Sequence, residues 1–299
     1  MTRHFLTPTL AAVLLAAPAF AQQASDTVAP EIATDVAAAF PGLSEAGRAA
    51  LAAKSAGESV IAQDWMVAAA HPMAVQAGAK VLNAGGTAAD AMVAVQAVLG
   101  LVEPQSSGLG GGAFLVWYDA ATGDITTLDG RETAPLAADP RYFQDDSGEP
   151  LDFRTAVVSG RSVGTPGTPR LMEDAHRRWG RANWAGLFTD AIALAQAGFT
   201  VSPRMADSVA GAAETLAAFP ETAAYFLPGG APLAAGDTLV NAEYADTLRQ
   251  IAAHGAQAFY TGDIAADIVA ATRTDTLPGL LSLEDMVRYR VVERPAVCY

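Results

Sequence analysis

The stretch TAADAMVAVQAVLGLVEPQSSGLGGGAFLVWYDAATGDITTLDGRETAP, residues 87–135, joins an apolar helix, a glycine-rich turn and a strand hairpin. Thr87 and Asp90 have the spacing of a capping box, in which each side chain accepts a hydrogen bond from a free backbone N–H. Nearly every residue from Met92 to Val102 is apolar, so we predict a helix that is buried over most of its surface. Pro104 predicts the end of this helix, because the residue before a proline is disfavoured in helical geometry.

A glycine run follows the predicted helix. Four of the five residues from Gly108 to Gly112 are glycine, which permits backbone torsions and close approaches that side chains forbid. No Lys-Ser/Thr pair follows, and the run opens a strand rather than a helix. The P-loop and dinucleotide-binding patterns therefore fail in their context. We predict close packing of helix, turn and strand here rather than a phosphate site.

The hairpin leads to an arginine. Phe114–Tyr118 and Ile125–Leu128 are β-branched and aromatic runs that flank a turn rich in small and polar residues, as in a β-hairpin. Arg131 follows the second strand, where a scaffold can present its fixed fork of donors to a carboxylate. On the residues alone we favour the other interpretation, an internal salt bridge with Glu132 or Asp129.

Residues 64–299 resemble the gamma-glutamyltransferases (gamma-glutamyltranspeptidases), which are N-terminal-nucleophile hydrolases. No single motif decides this, but their order and spacing together are specific. The resemblance rests on AAHP (69–72), LNAGGTAAD (82–90), EP (103–104), GLGGG (108–112), DGRETAP (129–135), SVGTPG (162–167), AIALA (191–195) with GF (198–199), AFYTG (258–262), and LED (283–285) with Tyr289.

The resemblance implies an α/β fold, the αββα sandwich of N-terminal-nucleophile hydrolases, incomplete here and with a helical lobe. It implies a self-cleaving precursor whose new N-terminal threonine attacks the γ-glutamyl amide of glutathione or a related compound. Water or an amino acid then resolves the γ-glutamyl-enzyme. Arg131 matches the family's arginine that binds the α-carboxylate of the γ-glutamyl group, and its planar guanidinium suits bidentate binding.

The family's nucleophile and oxyanion donors belong to a later, small-subunit segment. We therefore expect no catalytic residue in residues 1–299, and we expect this chain alone to be inactive and, as residues 22–299, poorly soluble. No metal or organic cofactor is indicated. Three alternatives stay open: an amide acylase of the cephalosporin type, a non-catalytic γ-glutamyl-binding protein, and a structural domain without a ligand. Arg131 favours the γ-glutamyl interpretation, because a substrate whose acyl chain lacks an α-carboxylate has no group for this arginine to bind.

The N-terminus predicts export. Residues 1–21 combine Arg3, an apolar run and the small-residue cleavage site Ala19-Phe-Ala21, as in a signal peptide. Residues 22–63 are expected to form an arm and a short helix over Leu43–Lys54. We predict a periplasmic or secreted protein with no membrane attachment after cleavage. The net charge of −14 argues against nucleic-acid binding.

Further elements are predicted along the chain. They are a strand at Met66–Ala70, a helix after Pro72 with Val75, Ala79 and Leu82 on one face, a surface excursion at Ala137–Arg154, a strand at Val157–Ser159, and helices at Arg170–Trp179, Trp184–Ala197, Pro203–Ala218, Asn241–His254, Ile264–Thr272 and Leu283–Tyr289. His71 is interpreted as a helix cap or packed residue. His176 and His254 lack metal-ligand spacing. Cys298, the only cysteine, excludes an intrachain disulfide.

Overall fold

The computed structural model describes Phe40 and residues 42–297. The predicted signal peptide, residues 22–39 of the arm and Cys298 lie outside these residues. The helices are α1 (Glu45–Ser55), α2 (Pro72–Asn83), α3 (Ala88–Val102), α4 (Phe153–Val157), α5 (Thr168–Trp179), α6 (Thr189–Ala197), α7 (Pro203–Leu216), α8 (Pro220–Phe226), α9 (Ala242–His254), α10 (Gln257–Tyr260), α11 (Gly262–Ala271) and α12 (Leu283–Arg288). The strands are β1 (Ala113–Asp119), β2 (Asp124–Gly130), β3 (Phe199–Thr200), β4 (Thr238–Leu239) and β5 (Val292–Arg294).

Two antiparallel sheets are present among the described residues. The larger has the order β1-β2-β5, and the smaller pairs β3 with β4. The predicted hairpin is confirmed, with a register that runs from Ala113 opposite Gly130 to Asp119 opposite Asp124. Strand β5 joins from far along the chain and places Val292 opposite Asp129. The end of β2 is thus held between two strands just before Arg131.

Helix α3 forms as the sequence predicts. Thr87 caps it through a complete capping box with Asp90, and the helix ends two residues before Pro104. The Asp90 carboxylate also accepts hydrogen bonds from Arg181 N at 3.0 Å and Ala182 N at 3.1 Å. Burial of Asp90 opposes ionisation, but these backbone N–H groups and that of Thr87 outweigh it and lower the Asp90 pKa. One buried carboxylate therefore joins the helix start to the loop after α5.

Helix α2 packs against α3 through small residues. The predicted helix is confirmed, with Val75, Ala79 and Leu82 on one half-buried face, whereas the buried residues are Ala74, Ala77 and Gly78. A Cβ atom on Gly78 would lie 2.6 Å from Val95 Cγ2, which no real contact allows. The small side chains are buried because they permit this close approach of the two helices.

The apolar core of the helical lobe is centred on α3, α6, α7 and α9. Phe188, Met205, Leu248 and Ile251 are all at most 1 % exposed. The Trp184 indole N–H donates to the Ile251 carbonyl at 2.9 Å, which satisfies the polar edge of a large core ring. The helical second half of the chain that the sequence predicts is confirmed.

Two predicted strands are absent from the described residues. Residues 66–70 have no regular secondary structure, Val67 is half-buried towards α2 and Met66 is 56 % exposed. Val157 instead ends helix α4, whose start is capped by the Asp152 carboxylate through Thr155 N at 3.0 Å. The β-branched pair Val157–Val158 suggested a strand, but the aspartate cap prevails.

Other boundaries differ by smaller amounts. The helix predicted at Trp184–Ala197 begins as a 3₁₀ turn over Trp184–Phe188 before α6. The short elements α8, α10, β3, β4 and β5 were not predicted. No helix of the described residues has the length and apolarity that crossing a membrane requires.

The surface excursion after Pro135 is confirmed as a run of turns, but side chains tether it. The Asp285 carboxylate accepts from Leu136 N at 2.7 Å. Arg161 donates to the Tyr142 carbonyl at 2.8 Å, and the Tyr142 hydroxyl accepts from Leu280 N at 2.9 Å. The excursion therefore has a defined position beside the segment that contains α12.

Candidate substrate-binding site

Three backbone segments converge at Arg131: the exit of β2, the glycine run 108–112 and the turn 164–167. The Gly111 carbonyl accepts hydrogen bonds from Gly167 N at 2.9 Å and Thr168 N at 3.1 Å. Thr133 and Thr165 form an antiparallel bridge, with Thr165 N donating to the Thr133 carbonyl at 2.8 Å. Arg131 therefore projects from a junction in which backbone is packed directly on backbone.

Two glycines make this junction possible. A Cβ on Gly112 would lie 2.7 Å from Glu132 N and 2.8 Å from Arg131 Cα. A Cβ on Gly167 would overlap the Gly130 carbonyl oxygen and the Tyr289 hydroxyl. Side chains cannot be accommodated at either position. The predicted packing role of the glycine run is confirmed, and the run opens β1 as expected.

The guanidinium of Arg131 is half exposed. Its side chain is 55 % exposed, and Nη1 lies 3.2 Å from Oε2 of Glu132. The internal salt bridge favoured on the residues alone is therefore present. A half-exposed pair of this kind contributes little to stability. About half of the Arg131 side chain remains exposed to solvent.

The backbone of Arg131 is held by side chains on both sides of its Cα. Arg131 N donates to Asp129 Oδ1 at 2.9 Å, and the Tyr289 hydroxyl donates to the Arg131 carbonyl at 2.7 Å. Arg294 on β5 donates through Nε to Asp129 Oδ2 at 2.6 Å. The Arg131 N–H and the Arg294 side chain lower the pKa of Asp129, so its carboxylate stays ionised as the acceptor.

A layer of aromatic rings lies beneath this junction. Tyr289 is 4 % exposed and stacks on Tyr260 with ring centroids 5.8 Å apart. The Tyr260 hydroxyl donates to the Pro166 carbonyl at 2.9 Å, and the Arg170 guanidinium lies over the Tyr260 ring at 4.7 Å. Burial, together with the negative charges of Asp129 and Glu132, raises the pKa of Tyr289 to about 12. Tyr289 thus remains a hydrogen-bond donor at any pH near neutrality.

The other residues considered in the sequence lie away from this junction or have structural roles. His71 is 1 % exposed and caps α2, because its Nδ1 accepts from Met73 N at 3.2 Å. His176 contacts Ala182 O and the Asp90 carboxylate. Thr87 is a helix cap. Within residues 40 and 42–297, no cluster of histidine, cysteine and acidic side chains has the geometry of a metal site.

Sequence reasoning found Arg131 but missed the residues that hold it. Tyr289 was noted only as part of a motif, and β5 with Arg294 was not predicted. Tyr289 is 158 positions from Arg131, and Arg294 is 165 positions from its partner Asp129, so local spacing carries no signal for either contact. The DGRE motif itself contained the one local clue, an aspartate two residues before the arginine.

A separate cavity of about 400 Å³ lies between α2 and the turn 184–188. Its lining includes Lys80, Val81, Arg181, Leu187 and Asp190, and it contains none of the junction residues. A salt bridge of 2.7 Å between Lys80 and Asp190 lies on its edge. This cavity is therefore no part of the Arg131 site, which is an open surface.

A protein family and several known proteins match most of this chain. The family model described as Gamma-glutamyltranspeptidase matches residues 74–299. The chain is 40 % identical over 236 residues to the glutathione hydrolase proenzyme of Bacillus subtilis strain 168, covering 77 % of this chain and 39 % of that protein. It is 36 % identical over 240 residues to the acylase ACY 1 proenzyme of Pseudomonas sp. strain SE83, covering 78 % and 42 %.

Among solved structures, the chain resembles Helicobacter pylori gamma-glutamyltranspeptidase with a TM-score of 0.76 and 32 % identity. The match covers 80 % of this chain and 68 % of the solved chain. The expected fold class is confirmed by this likeness. The chain spans about two fifths of the length of the curated relatives that it matches.

Proposed function

The chain belongs to the gamma-glutamyltranspeptidase family, and on this premise we propose that it supplies the carboxylate-binding part of an enzyme that transfers or hydrolyses γ-glutamyl groups. The observation that carries the proposal is the half-exposed Arg131 guanidinium on a fixed backbone. Glutathione and related γ-glutamyl compounds are the proposed substrates, with water or an amino acid as the acceptor.

The role of Arg131 follows from its geometry. A substrate α-carboxylate can accept two parallel hydrogen bonds from a guanidinium, which fixes the orientation of the γ-glutamyl group as well as its position. Glu132 lies 3.2 Å from one guanidinium nitrogen. Against a net charge of −14 for the whole chain, a local cation is needed to attract an anionic substrate.

The nucleophile is proposed to lie in a small-subunit segment outside residues 1–299, as a threonine at a new N-terminus. The word proenzyme in the names of the relatives supports cleavage of a precursor. We also propose export to the periplasm or medium, supported by the signal-like pattern of residues 1–21.

The test is Arg131→Lys in the full-length product of the gene that encodes this chain. Lysine keeps the charge but loses the bidentate geometry, so KM for γ-glutamyl-p-nitroanilide should rise roughly 10- to 100-fold, in line with the worth of hydrogen bonds to charged groups. Arg141→Lys, at an exposed arginine of the excursion, is the matched control and should leave KM unchanged. An unchanged KM in Arg131→Lys would remove Arg131 from the substrate site.

An amide acylase is the second candidate, and the likeness to the acylase ACY 1 proenzyme fits it, though not better than the glutathione hydrolase likeness fits the first. The same assay distinguishes the two activities. A γ-glutamyl enzyme should prefer γ-glutamyl-p-nitroanilide over butyryl-p-nitroanilide, which has no α-carboxylate, and Arg131→Lys should abolish that preference. Equal rates with both substrates would support the acylase. Binding of L-glutamate without turnover would support a non-catalytic binding protein.

A further inference from the structure

We propose that Tyr289 is a positioning residue for Arg131 and thereby determines selectivity for substrates that carry an α-carboxylate. This inference rests on the proposed function of Arg131. It assigns a role in substrate recognition to a side chain that is itself almost fully buried and acts through Arg131.

Tyr289 contacts the backbone of Arg131 directly. The Tyr289 hydroxyl donates to the Arg131 carbonyl at 2.7 Å, and Tyr289 is 4 % exposed. On the other side of the same residue, Arg131 N is held by Asp129 at 2.9 Å. Since both peptide groups that flank the Arg131 Cα are fixed, its two backbone torsions are fixed as well.

The surroundings prevent relaxation of this arrangement. The Arg131 Cα packs so closely on Gly112 that a Cβ there would come within 2.8 Å. The Tyr289 ring is in turn stacked on Tyr260, whose hydroxyl bonds to the Pro166 carbonyl. The same segment reaches Arg131 a second time, because Arg294 on β5 binds the Asp129 carboxylate. Residues 289–294 therefore fix the backbone from which the Arg131 guanidinium projects.

Selectivity follows from the geometry of bidentate binding. Two parallel hydrogen bonds require the guanidinium plane to face the carboxylate within narrow limits. A small rotation of the Arg131 backbone is amplified along its long side chain, because its terminal nitrogens lie six bonds from the Cα. Loss of the Tyr289 hydroxyl should therefore weaken binding of the carboxylate and leave the chemistry of the amide unaffected.

The experiment uses Tyr289→Phe in the full-length gene product, alone and combined with Arg131→Lys. The phenylalanine keeps the stacked ring and removes one hydrogen bond. KM for γ-glutamyl-p-nitroanilide should rise roughly 3- to 10-fold with kcat unchanged. In the Arg131→Lys background the same change should have no further effect on KM, because the group that Tyr289 orients is gone.

Tyr244→Phe is the matched control. The Tyr244 hydroxyl also donates to a backbone carbonyl at 2.9 Å, but to that of Ala97 on α3 and not to that of Arg131. It should leave KM unchanged. A merely structural role of Tyr289 would lower kcat as well, or would raise KM equally in both backgrounds, and either result would overturn the inference. If Arg131→Lys itself leaves KM unchanged, the proposed site falls first, so the two failures are distinguishable.

Discussion

Burial of His71 should make the free energy of unfolding depend on pH. Its burial lowers the His71 pKa from the ordinary 6.5 to about 4. The imidazole is neutral in the folded chain, where Nδ1 accepts a hydrogen bond from Met73 N at the start of α2. Its ring also packs edge-on against Phe40, with centroids 5.1 Å apart. A protonated ring would lose the cap and place a charge in this apolar contact.

The sign follows from which state binds the proton first. The unfolded chain takes up a proton at His71 near pH 6.5, whereas the folded chain does so only near pH 4. Stability from the neutral imidazole is therefore fully present above pH 6.5 and is lost as the pH falls towards 4. At about 1.4 kcal/mol per pH unit, the whole window amounts to about 3 kcal/mol, most of it between pH 7 and pH 4.5.

The assay compares wild type with His71→Asn by urea unfolding at pH 7 and at pH 4.5. Asparagine is a good N-cap residue and does not titrate, so it keeps an acceptor for Met73 N. The variant starts less stable because it leaves a cavity, but it should lose about 2.5 kcal/mol less than wild type on acidification. His254→Asn, at the exposed end of α9, controls for removal of an imidazole. Equal acid losses in wild type and His71→Asn would refute this reasoning.

Two further predictions concern stability. Gly167→Ala should lower the free energy of unfolding by about 3 kcal/mol or more, because the added methyl group meets the Gly130 carbonyl and the Tyr289 hydroxyl. Gly110→Ala, with open space around it, should be close to neutral, and similar melting temperatures of the two variants in thermal unfolding would contradict the packed junction. Asp90→Ala should cost about 3 kcal/mol by urea unfolding, since it leaves the N–H groups of Thr87, Arg181 and Ala182 without their acceptor. Thr87→Ala, which removes one cap, should cost only about 1 kcal/mol, and equal losses would show that Asp90 acts only as a cap.

The parts of the fold with local signals could be predicted from the sequence. The capping box at Thr87, the hairpin after Gly112 and the helix end at Gly198 each depend on residues within a few positions of each other. The buried face of α2 could not be predicted, because Ala74 and Gly78 are buried for their small size rather than for their hydrophobicity. Where two helices approach closely, the positions of large apolar side chains do not predict which face of a helix is buried.

The candidate site likewise has a part that local sequence predicts and a part that it does not. Arg131 could be identified from its motif, and its salt bridge with Glu132 from adjacency alone. Its backbone is bound by Tyr289 directly and by Arg294 through Asp129, and only the fold brings these two residues close to it. The failed strand at Val157 has a similar cause, since an aspartate cap at Asp152 outweighed the strand preference of the residues after it.

Arg131 and Tyr289 are 158 positions apart in the sequence, and this separation predicts an order of folding. The β1–β2 hairpin closes locally, whereas joining β5 and Tyr289 to it closes a loop whose entropy cost is roughly 3 kcal/mol higher. On the ribosome, at about 5 to 20 residues per second, Tyr289 is synthesised about 8 to 30 s after Arg131. During that interval the nascent hairpin carries Phe114 and Val116, which remain more than 60 % exposed even in the folded chain. Arg131 is thus synthesised early, whereas its hydrogen bond with Tyr289 can form only late. Chaperones that bind apolar strands have that interval in which to act.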